Sequence, residues 1–142
     1  MDVGGNLHCT GNITPVVAVK QGSRKAAFYA MAAPENWFED FGSGHLSNGS
    51  ATVALDPDFA ETVNTGVEYH VFVTPNGESK GLYVSQKGPS SFEVRESGGG
   101  SSSISFDYRI VAHRKGQESV RMADLTERMQ SHPRMPVINQ KP

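Results

Sequence analysis

The segment Ile104-Ser105-Phe106-Asp107-Tyr108-Arg109-Ile110-Val111-Ala112 carries the most regular pattern in the chain. Ile104, Phe106, Tyr108 and Ile110 alternate with Ser105, Asp107, Arg109 and Val111, and a period of two places the first set on one face of a strand. The first set is β-branched or aromatic, the types that pack best on a pleated surface. The segment therefore reads as a central strand with one face in the core.

Working outward, Gly98-Gly99-Gly100-Ser101-Ser102-Ser103 is a flexible loop that would return this strand as a hairpin onto Phe92 to Arg95. In Tyr69-His70-Val71-Phe72-Val73, alternation puts Tyr69, Val71 and Val73 inward. Tyr69 to Thr74 and Leu82 to Ser85 flank Pro75-Asn76-Gly77-Glu78, a hairpin signal in which Gly77 should hold positive φ. Ser47-Asn48-Gly49-Ser50 is a second such signal, between Gly44 to Leu46 and Ala51 to Leu55. Further toward the amino terminus, Trp37 to Phe41, Ala26 to Ala33 and Val16 to Lys20 read as short strands, the last two separated by Gln21-Gly22-Ser23-Arg24.

Helix is scarce. Asp56-Pro57-Asp58-Phe59 offers a capping acid, a proline at the first helical position and an acid in the first turn, enough for about two turns before Thr65-Gly66. Asp124-Leu125-Thr126-Glu127 resembles a capping box, and its helix stops near Gln130 because Pro133 and Pro136 follow. The expected fold class is all-β: antiparallel hairpins in a small sandwich or barrel, with one or two short helical turns, preceded by a Gly-Asn repeat stalk. The expected segments are 1–20 as stalk or linker, 21–116 as the β-rich domain, and 117–142 as an extension with a short helix and a proline-rich tail.

Composition agrees with many short strands: of 142 residues, 37% are hydrophobic, with Gly 15 and Pro 8. A formal charge of −2 gives no electrostatic footing for nucleic acid. No apolar run has the length of a membrane span, and no charged-then-apolar signal segment is recognised.

The amino-terminal residues repeat. Gly5-Asn6-Leu7-His8-Cys9-Thr10 is followed by Gly11-Asn12-Ile13-Thr14-Pro15-Val16, two copies of a unit Gly-Asn-apolar-x-x-x. Such a unit cannot bury its apolar residue alone and needs more copies or more chains. These residues read as the end of a longer stalk, with Leu7, Cys9 and Ile13 as contacts in a homotrimer.

Chemistry is thin. His8, His45, His70, His113 and His132 fall at none of the close spacings of a zinc site, so no metal or cofactor is expected. Cys9 is the single cysteine and has no nominated base. Asp40, Glu61, Glu93 and Glu96 are the acids a glycosidase would have to recruit, and no pattern joins them. Neither catalytic residues nor an enzyme are expected. Exposed aromatics stack on sugars and dominate protein interfaces; Trp37, Phe38, Phe41, Tyr69 and Tyr83 are the aromatic surface candidates, with Trp37, Phe38 and Tyr83 as the candidate binding residues.

Trp37-Phe38-Glu39-Asp40-Phe41-Gly42, Ala51 to Ala60, Tyr69 to Pro75, Lys80-Gly81-Leu82-Tyr83-Val84 and Phe92-Glu93-Val94-Arg95-Glu96 resemble a domain at the ends of large repeat-rich bacterial surface proteins. The Gly-Asn repeats are similar to stalks of phage tail fibres. The resemblance spans roughly residues 3–115 and implies a trimeric β-structure outside the cell, on a cell surface or on a virion, with no catalytic residues to carry over. Self-cleaving fibre tips end in a chaperone domain with a Ser-Asp motif, and no such segment is read here. The functional expectation is a structural module ending or capping a trimeric fibre, with a receptor- or glycan-binding tip as the alternative.

Overall fold

The computed structural model describes residue 8 and residues 12–130. The chain divides into two units, Met1–Ala33 and Pro34–Pro142. Leu7 and Cys9, two of the expected trimer contacts, lie outside the described residues.

The first unit holds one antiparallel hairpin, β1 (Val16–Val19) against β2 (Arg24–Ala27), with Val16 opposite Ala27 and Val19 opposite Arg24. Hydrogen bonds prolong the ladder beyond the strands: Phe28 N–H donates to the Pro15 carbonyl at 2.9 Å and Ala30 N–H to that of Ile13 at 3.0 Å. Lys20, expected in the first strand, instead enters the turn with φ 51°. The second strand ends at Ala27 rather than continuing to Ala33. Among residues 12–33 none is buried.

The second unit is a sandwich of two three-stranded antiparallel sheets. Its strands in chain order are β3 (Trp37–His45), β4 (Ser50–Ala54), β5 (His70–Pro75), β6 (Leu82–Lys87), β7 (Ser91–Glu96) and β8 (Ser105–His113). One sheet has the order β3-β8-β5 and the other β4-β7-β6. Their inner faces meet in one core: Phe106, Ile110 and Ala112 from β8, Phe92 and Val94 from β7, and Leu46, Leu55, Val63 and Tyr69 from the flanking segments. The all-β expectation holds. So does the reading of β8, which is central in its sheet, with Ile104 and Tyr108 packed on the core and Ser105, Asp107 and Arg109 exposed. The Phe106 and Tyr108 rings lie directly over Gly44 and Gly42 of β3, where a side chain would occupy the same space.

Connectivity departs from the sequence reading in three places. Asn48 and Gly49 do make a two-residue turn, with φ 52° and 82° as a type I′ turn requires. Only Ser47 and Ser50 pair across it, and the two strands then enter opposite sheets. Asn76-Gly77 does not close a hairpin, because β5 and β6 also belong to different sheets. Asn76 N–H donates to Ser105 at 2.8 Å, Gly77 stays out of the left-handed region, and Gly81 takes positive φ, 98°. Nor does the Gly98–Ser103 loop fold β8 onto β7; it carries the chain from one sheet to the other. The hairpin within a sheet is β6–β7, whose turn is held by Tyr69: its hydroxyl donates to the Gly88 carbonyl at 2.8 Å and approaches that of Ser91 at 3.2 Å.

Helix α1 (Pro57–Thr62) begins where the capping signal placed it, with Asp56 accepting from Phe59 N–H at 2.9 Å. Helix α2 (Thr126–Gln130) follows Asp124, whose carboxylate accepts from the Thr126 N–H at 2.8 Å and hydroxyl at 2.6 Å. No helix among the described residues is long and apolar enough to cross a membrane.

Phe106 is fully buried under the second sheet, so Phe106→Ala is expected to cost ~3–5 kcal/mol, whereas exposed Ser105→Ala stays within ~0.5 kcal/mol. Urea unfolding of both variants checks this; equal costs would reverse the assigned faces.

Candidate functional site

Register turns the outer face of the β3-β8-β5 sheet into a set of rows. Trp37 pairs with His113; Glu39 with Val111 and His70; Phe41 with Arg109 and Phe72; Ser43 with Asp107 and Thr74; His45 with Ser105. Side chains in one row share a face and are neighbours across strands.

The aromatic row is built on a cation. Arg109 on the central strand stands between Phe41 and Phe72, its guanidinium carbon 5.9 Å and 5.8 Å from the two ring centroids. Such contacts lie within cation–π range. Glu39 in the adjacent row holds the same guanidinium through an ion pair at 2.6 Å. Both rings are open to solvent, Phe41 64% and Phe72 56% exposed. On the far side of the aromatic row, the Ser43 hydroxyl donates to Asp107 at 2.7 Å.

At the other end Trp37 stacks on His113, with centroids 3.7 Å apart and planes 25° apart, and lies 5.6 Å from His70. Glu35 sits 3.5 Å from His113 Nε2 and 3.1 Å from the Arg121 guanidinium. Hydrogen bonding to Arg121 is the chief reason that the Glu35 carboxyl stays below the ordinary glutamate pKa. Trp37 is thus half-buried in a structural stack.

The three candidate binding residues do not converge. Phe38, next to Trp37 in the strand, points to the opposite face, paired with Ala112 and lying 5.6 Å from the Arg114 guanidinium. Tyr83 belongs to β6 in the other sheet, opposite Arg95. The row that does form, Phe41–Arg109–Phe72, was marked in the sequence by aromatic residues at outward positions: Phe72 falls between the inward Val71 and Val73.

The acids are committed to structure. Glu93 faces outward on β7, taking the Ser85 hydroxyl at 2.6 Å and the Arg95 guanidinium at 2.9 Å, and these bonds, Ser85 first, lower its pKa. Glu96 faces inward and is buried. Its carboxylate accepts the backbone N–H groups of Lys80 and Ser102, each at 2.8 Å, and these two bonds lower its pKa against the opposing effect of burial. A catalytic acid requires the reverse shift, a carboxyl kept protonated near neutral pH. Asp40 on β3 and Glu61 on α1 join neither. Among the described residues no group of His, Cys, Asp and Glu is arranged to hold a metal ion. The chain matches no family model and no curated protein sequence.

Because folding depresses the Glu96 pKa, its stabilisation is fully present above the unfolded-state value of about 4.3. It is lost as pH falls through the folded-state value. Glu96→Gln is therefore expected to melt lower at neutral pH and to lose less stability on acidification than the parent. Melting curves taken from neutral to acidic pH measure this; an unchanged acid-side slope refutes the role.

Proposed function

We propose that the chain is a non-catalytic structural module that ends or caps a homotrimeric fibre, outside the cell, on a cell surface or on a virion. The observation that carries this reading is the amino-terminal hairpin. Ile13, Val16, Phe28, Tyr29 and Met31 are each more than half exposed. By register, Ile13, Val17, Ala26 and Phe28 share one face, while Val16, Ala18, Ala27 and Tyr29 share the other. A two-stranded hairpin is marginal in water by itself, and one with apolar side chains on both faces needs cover. Threefold repetition supplies it, since each buried side chain recurs in every subunit. The Gly-Asn units before the hairpin are the kind of sequence that gains a core only through other chains.

A second reading, a receptor- or glycan-binding tip, draws on the exposed Phe41 and Phe72 rings. It is compatible with the same trimer.

Light scattering of the unmodified chain at micromolar concentration is expected to give three times the monomer mass. Ile13→Asp places a charge in the apolar ladder and should shift the mass toward monomer, since burying such a side chain contributes ~1.5–3 kcal/mol per subunit. A stable monomer of the unmodified chain overturns the reading.

A further inference from the structure

Two surfaces in this chain carry exposed apolar side chains and complementary charges. The first is the hairpin face bearing Val16, Ala18, Lys25, Ala27 and Tyr29. The second is the outer face of the β3-β8-β5 sheet, where Phe41 and Phe72 project on either side of Arg109.

We infer that the hairpin of one copy packs face to face on the Phe41–Arg109–Phe72 row of a second copy, adding a third layer to that copy's sandwich. This rests on the trimeric reading above and names the surfaces that would join the subunits.

Charge is the first argument. Between residues 12 and 33 the charged residues are Lys20, Arg24 and Lys25, with no acid, whereas acids outnumber Lys and Arg between residues 34 and 130. On the receiving face the Arg109 charge is already paired with Glu39, so that row does not repel a cationic hairpin. In the central rows of the receiving face Glu39 and Asp107 stand against Arg109, an excess of one negative charge that favours encounter with the cationic hairpin.

Relief and spacing are the second argument. Val16 pairs with Ala27, and the next row on the same hairpin face pairs Ala18 with Lys25. Ala27 leaves a hollow in which one projecting phenylalanine ring can sit, large against small, as facing layers pack best. Successive rows on one strand face lie two residues apart, about 6.6–6.8 Å. Setting the Val16–Ala27 row over the aromatic row therefore carries Lys25 over the adjoining row. That row contains Asp107 on one side and Glu39 on the other. In either strand direction the adjoining row holds a carboxylate, Asp107 on the central strand or Glu39 on the edge strand. The opposite hairpin face, with Ile13, Val17, Ala26 and Phe28, stays available for contacts near the threefold axis.

The full-length chain tests this in two steps. Molar mass decides the assembly, and photo-crosslinking decides the surface. With p-benzoylphenylalanine replacing Tyr29, isotopically light and heavy chains are refolded together and irradiated. The expected products are light–heavy crosslinks to peptides of β3, β5 or β8. Lys25→Glu is expected to weaken assembly at least about tenfold in dissociation constant. Asp107→Lys or Glu39→Lys in the same chain should restore it, which of them depending on strand direction. Phe72→Glu, at an exposed position, should keep the parent's circular dichroism while losing the trimer.

A trimer crosslinked elsewhere, or only within single chains, overturns the docking and leaves the trimer standing. So does a Lys25→Glu defect that neither reversal repairs. A trimer whose aromatic row binds an added glycan or receptor without dissociating also overturns it, in favour of a binding tip. A monomer overturns both readings.

Discussion

The Glu96 carboxylate lies at the end of β7, turned into the protein, with backbone N–H groups from two separate segments converging on it. Ser102 belongs to the loop that leaves the second sheet for the first, and Lys80 to the segment that enters β6. The backbone N–H of the same residue donates to the Gly49 carbonyl at 2.8 Å, which ties in the turn between β3 and β4. One residue therefore fastens the three places where the chain passes between sheets at this end of the sandwich. An ionised carboxylate out of water is tolerable when hydrogen bonds satisfy it. Gly100 lies so close to the Glu96 carboxyl that a side chain there would overlap it, and this accounts for a glycine-rich loop better than flexibility does. The loop looks mobile as a string of letters, yet it is backbone folded tightly round a charge.

That constraint also explains which parts of the fold were legible. Strand faces were, because burial on one side imposes a period of two on residues close in sequence: Tyr69, Val71 and Val73 point inward, and β8 keeps its alternation throughout. The short helices were legible for the same local reason, since Asp56 and Asp124 cap within three residues. Strand partners were not. A turn signal such as Asn48-Gly49 fixes the backbone of two residues and says nothing about where the next strand finds its pairing groups. Leu46 N–H takes the Ile104 carbonyl at 2.8 Å, while Ala51 pairs with Val94. Competition from these distant partners opens the expected hairpin after one bridge. The Asn76-Gly77 segment yields in the same way to Ser105.

The site was less legible than the fold. Trp37 and Phe38 were adjacent candidates, and adjacency on a strand is what separates them, one to each face. Composition singles out rare residues, whereas an interaction surface collects residues that share a face across strands. Phe41, Arg109 and Phe72 meet only because β3 and β5 both pair with β8, and that pairing comes from long-range hydrogen bonding. The local trace was an aromatic at an outward position, which becomes informative once the inward set is fixed. Trp37, by contrast, spends its ring on His113, a contact between the two ends of the sandwich's own chain.

The two units follow different thermodynamics. The sandwich encloses Phe106, Phe92, Ile110 and Leu46 within one chain, so its core needs no second copy. The described hairpin has backbone pairing without a buried residue, so a second copy covering it, as proposed, would add a binding free energy that depends on protein concentration. The proposed fibre-end role would use that division: the sandwich brings its own core, and the hairpin would gain cover only from other copies. Exposed ladder edges on β1 and β2 would otherwise invite indiscriminate pairing. Lys20 in the turn, with Arg24 and Lys25 in the two ladder rows next to it, counters this, since like charges repel a second hairpin approaching tip to tip. The sequence thus sets its apolar residues along the ladder and its charges in and next to the turn, so that attraction depends on which surface is presented.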